Sequence, residues 1–160
     1  MVVTGTFILY FGWYGFNAGS TLTIVGKNEK VAAEVTTHTT IAGATGALGS
    51  FVIAPLLKNI FELKRFKIDI EDLNVCDLTN GLLSGLVSIT ASADVVDLWF
   101  AMLIGGLGGI FYSISSFSLK RLLIDDPLDA FSVHGICGLW GLLATGLFHR
   151  DKGYLLKGYS

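Results

Sequence analysis

The chain has 160 residues, of which 52% are hydrophobic and 15% charged, with a formal net charge of −2. A soluble domain of this length has too much surface for its volume to hide so much apolar side chain, so the composition points to an integral membrane protein. Lys and Arg are scattered rather than gathered on one face, which excludes a nucleic-acid footprint, and Cys76 and Cys137 are too few and too far apart for a disulfide framework or a zinc site.

A helix needs about 20 largely apolar residues to cross a hydrocarbon core about 30 Å thick. Five stretches approach that length, at residues 2–25, 31–57, 76–93, 95–118 and 128–148. The first lacks the basic start of a secretory signal, and its apolar run exceeds a signal core of about 7 to 15 residues, so it is read as structure. Because that run begins almost at the first residue, the chain is expected to be part of a longer protein. Within it, FGWYGFNAGS (Phe11 to Ser20) spaces Trp13, Phe16 and Ser20 three and four residues apart, along one helical face. An indole, a phenyl ring and a hydroxyl so placed can attract a small cation. Spacing alone favours the commoner use of such aromatics, as packing or interfacial anchors.

The second stretch is the least apolar, with Thr36, Thr37, His38, Thr39 and Thr40 in succession. Lipid offers these groups no hydrogen-bond partner, so they must face protein, water or their own helix carbonyls. Interhelical packing is the favoured reading, for His38 as well, over a role on substrate. The pairs Gly15 and Gly19, Gly81 and Gly85, and Gly105 and Gly109 are each small-xxx-small, which predicts close helix approach in a compact bundle. Asp94 and Asp97, in the short turn between the third and fourth stretches, are read as solvated.

The fifth stretch opens with DDPLDAF. Asp126 suits an N-cap, Pro127 the first helical position and Asp129 the third, so these carboxylates read as a helix start rather than a hydrolase cluster. Further on, SVHGICGLWG places His134 at membrane depth among Gly135, Gly138 and Gly141. An ionisable residue there is a functional candidate. Desolvation disfavours the imidazolium, leaving a ring that can donate and accept a hydrogen bond and could stabilise an uncharged polar solute such as ammonia. A histidine bonded between helices is an equal alternative. A metal centre on His134 and Cys137 lacks further ligands, and no nucleophile, base and orienting group recur at catalytic spacing, so neither cofactor nor enzyme activity is expected. Lys58, Lys64, Arg65, Lys67, Lys120 and Arg121 fall on one side of the membrane against Lys27 and Lys30 on the other, which makes the first side cytoplasmic, although Arg150, Lys152 and Lys157 in the tail pull against that orientation.

Taken together, these motifs resemble the ammonium transporter family, Amt type, over essentially the whole chain. FGWYGFNAGS is similar to that family's sixth membrane helix, NGLLSGLVSIT (Asn80 to Thr90) to its eighth, and DDPLDAFSVHGICGLWG (Asp125 to Gly141) to its tenth. The resemblance implies an all-α membrane fold in which five transmembrane helices form the second half, helices six to ten, of an eleven-helix inverted repeat. It also implies a homotrimer in the full-length form, ammonium or ammonia as substrate, and a multi-pass place in the lipid bilayer of the plasma membrane. His134 matches one of two pore histidines, Phe16 one of two gate phenylalanines, Ser20 a residue of the outer recruitment site, Trp13 a pore-lining tryptophan and Asp129 a structural aspartate. The other pore histidine, the other gate phenylalanine and the recruitment-site tryptophan belong to the half not represented, and His38 falls on the seventh helix and does not replace them. The implied mechanism binds the cation at an aromatic vestibule, removes a proton and passes ammonia along the histidines. Such a half has binding groups on one side of the path only and alone should not conduct. The alternative function is a non-conducting half-length chain that associates with or regulates complete protomers.

Overall fold

A computed structural model describes residues 1–23, 25–26, 29–61 and 74–156. The described residues are helical, with no strand among them. They form α1 (Val2–Gly19), α2 (Glu29–Phe61), α3 (Val75–Thr90), α4 (Leu98–Arg121) and α5 (Cys137–Phe148), the last entered through a π-helical turn at Phe131–Ile136. Lys27 and Lys157 and the run Lys64 to Lys67 lie outside the described residues.

Local chemistry moves several boundaries from those the apolar runs predict. The side chain of Asn74 accepts from the backbone N–H of Cys76 at 2.9 Å and starts α3. Asp97 stands at the N-cap position of α4, so that helix starts at Leu98 rather than Val95 and continues to Arg121. Among the described residues, three helical stretches are long and apolar enough to cross a membrane: Glu29–Ile60, Leu98–Arg121 and Phe131–Phe148. The 16-residue α3 is apolar but shorter, and in α1 Thr, Gly, Tyr and Asn dilute the apolar character.

The core of the bundle is α2 packed against α3 and α4 at backbone distance. A β-carbon on Gly46 would stand 2.5 Å from the carbonyl oxygen of Gly81 and 2.7 Å from Cα of Gly85, while Gly105 and Gly109 press on the α2 backbone at Ala42 and Gly46. Two of the expected glycine pairs therefore sit in helix crossings. The third does not: a β-carbon on Gly15 or Gly19 meets nothing within 4 Å. Small residues permit close approach only where the facing helix is also small, and α1 meets α2 through larger polar side chains. Tyr14 and Thr40 share a hydrogen bond of 2.9 Å, and Asn17 Nδ2 donates to Thr39 Oγ1 at 3.0 Å.

In α2, Thr36, Thr37, Thr39 and Thr40 each return a hydroxyl to the carbonyl four residues earlier in their own helix. His38 is buried, with Nδ1 2.7 Å from the carbonyl oxygen of Ala93, so it ties α2 to the turn after α3. Asp97 is more than solvated. Arg150 donates to its carboxylate at 2.9 Å and to the Val96 carbonyl at 3.1 Å, fastening the segment after α5 to the α3–α4 turn. Successive helices run antiparallel, collecting Lys58, Lys120 and Arg121 at one end and Lys30, Arg150 and Lys152 at the other. Described basic residues thus balance between the ends, and the expected orientation leans on Lys64 to Lys67.

Candidate substrate groove

The start of α5 is held by two carboxylates that act differently. Asp126 accepts from the backbone N–H groups of Ala130 at 2.9 Å, Phe131 at 3.1 Å and Ser132 at 3.4 Å, capping a helix that begins later than the DDPLD pattern predicts. Pro127 lies in the preceding turn rather than at the first helical position. Asp129 is not at a third helical position either. Its backbone is left-handed, with φ 54°, which turns its carboxylate into the bundle. There it accepts from Ser116 Oγ at 2.7 Å, Tyr112 Oη at 3.1 Å and Asn80 Nδ2 at 3.3 Å, and pairs with Lys120 at 3.4 Å. This joint of α3, α4 and α5 fixes the angle at which the π-helical turn departs. Such turns shift side-chain register within a helix and recur at functional sites; this one carries His134.

His134 faces an open groove of about 630 Å³ between α1, α3 and α5. Ile8, Leu9, Val87 and Leu142 make its wall apolar, Gly12 and Gly138 keep it wide, and Trp13, Phe16, Thr90 and His134 supply its aromatic and polar groups. The Trp13 Nε1–H donates to Thr90 Oγ1 at 3.0 Å, and the Thr90 hydroxyl donates onward to the Leu86 carbonyl at 2.7 Å. That chain locks the indole plane from α3. Its neighbour Phe16 lies with ring centroids 6.0 Å apart and planes tilted by 59°, and it is 60% exposed. The His134 ring makes no hydrogen bond among the described residues; His38 is the histidine that bonds between elements.

Ser20 lies elsewhere. Its hydroxyl donates to the Phe16 carbonyl at 2.6 Å, and it lines a separate polar recess of about 100 Å³ with Asn17, Thr21 and Asp94. Thr90 lines both cavities, so the recess adjoins the groove through one side chain. Asn17 is buried, and its Oδ1 accepts no hydrogen bond among the described residues. The structure thus brings Trp13, Phe16 and His134 together and sets Ser20 beside them. It adds Thr90 and Asn17, which the sequence signals only as polar residues inside apolar stretches. Cys137 is buried with Sγ 3.3 Å from the carbonyl oxygens of Gly108 and Ser132, and no cluster of three or more His, Cys, Asp or Glu able to hold a metal occurs among the described residues.

An aromatic pair, an unbonded imidazole and an apolar wall built on α1, α3 and α5 coincide with a sequence match to the model of the Ammonium Transporter Family over residues 1–160. The chain belongs to the ammonium transporter family. It is 41% identical to a putative ammonium transporter of Synechocystis, covering 96% of this chain and 33% of that protein. With ammonium transporter 1 member 2 of Arabidopsis thaliana it shares 39% identity over 100% of this chain and 30% of that one. Among solved structures, Mep2 of Saccharomyces cerevisiae superposes with a TM-score of 0.80 at 29% identity, over 98% of this chain and 36% of Mep2. A structure described as a sensor Amt protein gives 0.73 at 35% identity, over 92% of this chain and 33% of that one. The chain therefore spans about a third of the length of these relatives. Family and apolar helices together make it an integral, multi-pass membrane protein, and the Arabidopsis and Synechocystis relatives are described as ammonium transporters, the latter as a putative one.

Proposed function

We propose that this chain supplies one wall of a pathway that carries ammonium or ammonia across a membrane, with Trp13, Phe16 and His134 lining it and Ser20 near its mouth. The observation that carries this reading is the convergence of those three groups on one groove. A bare cation cannot cheaply enter an apolar groove, because leaving water costs several kcal/mol unless its hydration is replaced. The faces of Trp13 and Phe16 attract a small cation, and the Ser20 oxygen in the adjoining recess is an acceptor for its N–H groups. Ammonium that gives its proton to water becomes ammonia, a neutral solute that the apolar wall tolerates and that the His134 ring can hydrogen-bond as donor or acceptor.

The groove is open on the side facing away from α3, and Phe16 and His134 are exposed there. That one-sidedness supports the finer reading of five helices as the second half, helices six to ten, of an eleven-helix inverted repeat; the homotrimer and the plasma membrane belong to the proposal through the family resemblance alone. The opposite wall would come from the part of the relatives outside the match. The same open face also favours a second reading, in which the chain docks on complete protomers without conducting.

Methylammonium uptake in cells lacking their own ammonium transporters tests both. We expect none from this chain alone, and uptake from a fusion of it to the unmatched remainder of the Synechocystis relative. His134→Ala in that fusion should reduce uptake or relax its selectivity against potassium; unchanged uptake and selectivity would remove His134 from the pathway. Uptake by this chain alone would refute the one-walled reading, and reduced uptake when it is co-expressed with a complete transporter would favour docking.

A further inference from the structure

The turn between α3 and α4 is tied down on both sides of Asp94. Before it, the Ala93 carbonyl oxygen lies 2.7 Å from His38 Nδ1. After it, the Val95 carbonyl accepts from the Arg150 backbone N–H at 2.7 Å, and the Arg150 side chain donates to the Val96 carbonyl and the Asp97 carboxylate. Ala93 and Val96 are also buried in the bundle. A residue flanked by such anchors keeps its place without bonds of its own, and the Asp94 carboxylate makes none among the described residues. Arg150, the cation that reaches this turn, is shared between Asp97 at 2.9 Å and Glu34 at 3.8 Å.

Asp94 lines the polar recess with Ser20, Thr21 and Thr90, and among the described residues it is the charged member of that wall. The recess has a volume of about 100 Å³, so whatever enters it lies close to the carboxylate. A concave site lined by one sign of charge raises the local concentration of ions of the opposite sign. The Ser20 hydroxyl spends its proton on the Phe16 carbonyl, which leaves its oxygen to accept from an N–H group. Thr90, the residue that holds the Trp13 indole, joins this recess to the groove. A cation drawn in by Asp94 is thereby delivered beside the aromatic pair, whereas a neutral amine gains nothing from the charge.

We propose that Asp94 sets the affinity of the pathway for the cationic form of its substrate, through a fixed negative charge on the recess that adjoins the groove. The inference rests on the transport reading and adds to it a residue outside the groove. In the fusion to the Synechocystis remainder, Asp94→Asn should raise the KM for methylammonium about fivefold, the effect of one unit charge at about 4 Å in water. The maximal rate should stay unchanged, as it does when binding is lost equally from ground and transition states, and the difference in KM should shrink as salt is added. Asp94→Glu, which keeps the charge, should hold the wild-type KM, and so should Asp151→Asn, at the same end of the bundle but outside the recess. A second measurement needs no transport. In this chain alone, in neutral detergent, Ser20→Cys in a Cys76→Ser background places one accessible thiol in the recess, because Cys137 is buried. Its rate with a cationic methanethiosulfonate relative to an anionic one should fall at least about fivefold on Asp94→Asn. A wild-type KM in Asp94→Asn, an equal loss in Asp94→Glu, or an unchanged ratio of thiol rates would overturn the role of Asp94. The pathway reading is judged separately, by His134→Ala, and would survive each of those results.

Discussion

Replacing Gly46 by alanine tests whether backbone contact between α2 and α3 holds the bundle. The new β-carbon would lie 2.5 Å from the Gly81 carbonyl oxygen, 2.7 Å from Cα of Gly85 and 2.8 Å from its nitrogen. All three are backbone atoms, so no rotamer change relieves the clash and the helices must part. Carbon atoms rest about 3.5 to 4.0 Å apart, so the crossing opens by roughly 1 Å, and a gap of that size forfeits up to about half of each contact's dispersion energy. Overpacking in proteins costs about 1 to 3 kcal/mol, and a rigid backbone on both sides puts Gly46→Ala near the top, about 3 kcal/mol. Reversible unfolding in mixed micelles, followed by far-UV circular dichroism, measures this against Gly146→Ala. There the β-carbon meets nothing within 4 Å, and the helix gains up to about 1 kcal/mol in propensity. If Gly46→Ala unfolds within about 0.5 kcal/mol of wild type, the packing account of α2 and α3 is wrong.

The same unfolding assay reads substitutions at four further positions. Asp129→Ala removes the acceptor shared by Asn80, Tyr112, Ser116 and Lys120, leaving only the Asn80–Tyr112 and Lys120–Ser116 bonds among them, and should cost about 3 kcal/mol, with Asp129→Asn recovering part of it. Ser20→Ala should change stability by less than about 0.5 kcal/mol, since the hydroxyl is exposed and bonded within its own helix; a larger loss would mean that the recess is structural. Arg150→Ala should cost about 0.5 to 1 kcal/mol, because both Arg150 and Asp97 are about half exposed, and the effect should shrink in high salt. Trp13→Phe removes the indole bond to Thr90 and should cost about 1 kcal/mol. In the fusion protein it should also lower methylammonium uptake; uptake at the wild-type level would mean that the indole plane need not be fixed.

The helices were legible because an apolar run of span length has few other fates, and FGWYGFNAGS and SVHGICGLWG contained the groove's aromatic and imidazole groups. What failed to show were features that depend on a partner distant in sequence. Gly15 and Gly19 have the same spacing as Gly81 and Gly85, yet only the latter pair meets a facing glycine, Gly46, and spacing within one helix carries no information about its neighbour. Ser20 shares a helical face with Phe16 by periodicity and keeps helical dihedrals as the C-cap of α1, but its hydroxyl bonds back to the Phe16 carbonyl and lines the adjoining recess rather than the groove.

Asp129 shows the same limit most sharply. Its place after Asp126 and Pro127 satisfies every local rule for a helix start, and a left-handed backbone of this kind costs a non-glycine residue of order 1 to 3 kcal/mol. Charge-assisted hydrogen bonds are worth about 1.5 to 3 kcal/mol each. The carboxylate's bonds to Ser116, Tyr112 and Asn80 therefore outweigh the strain, and the chain gives up the local optimum for the tertiary one. Because the π-helical turn that presents His134 leaves directly from this joint, the imidazole that faces the groove is positioned by contacts that lie far from it in sequence.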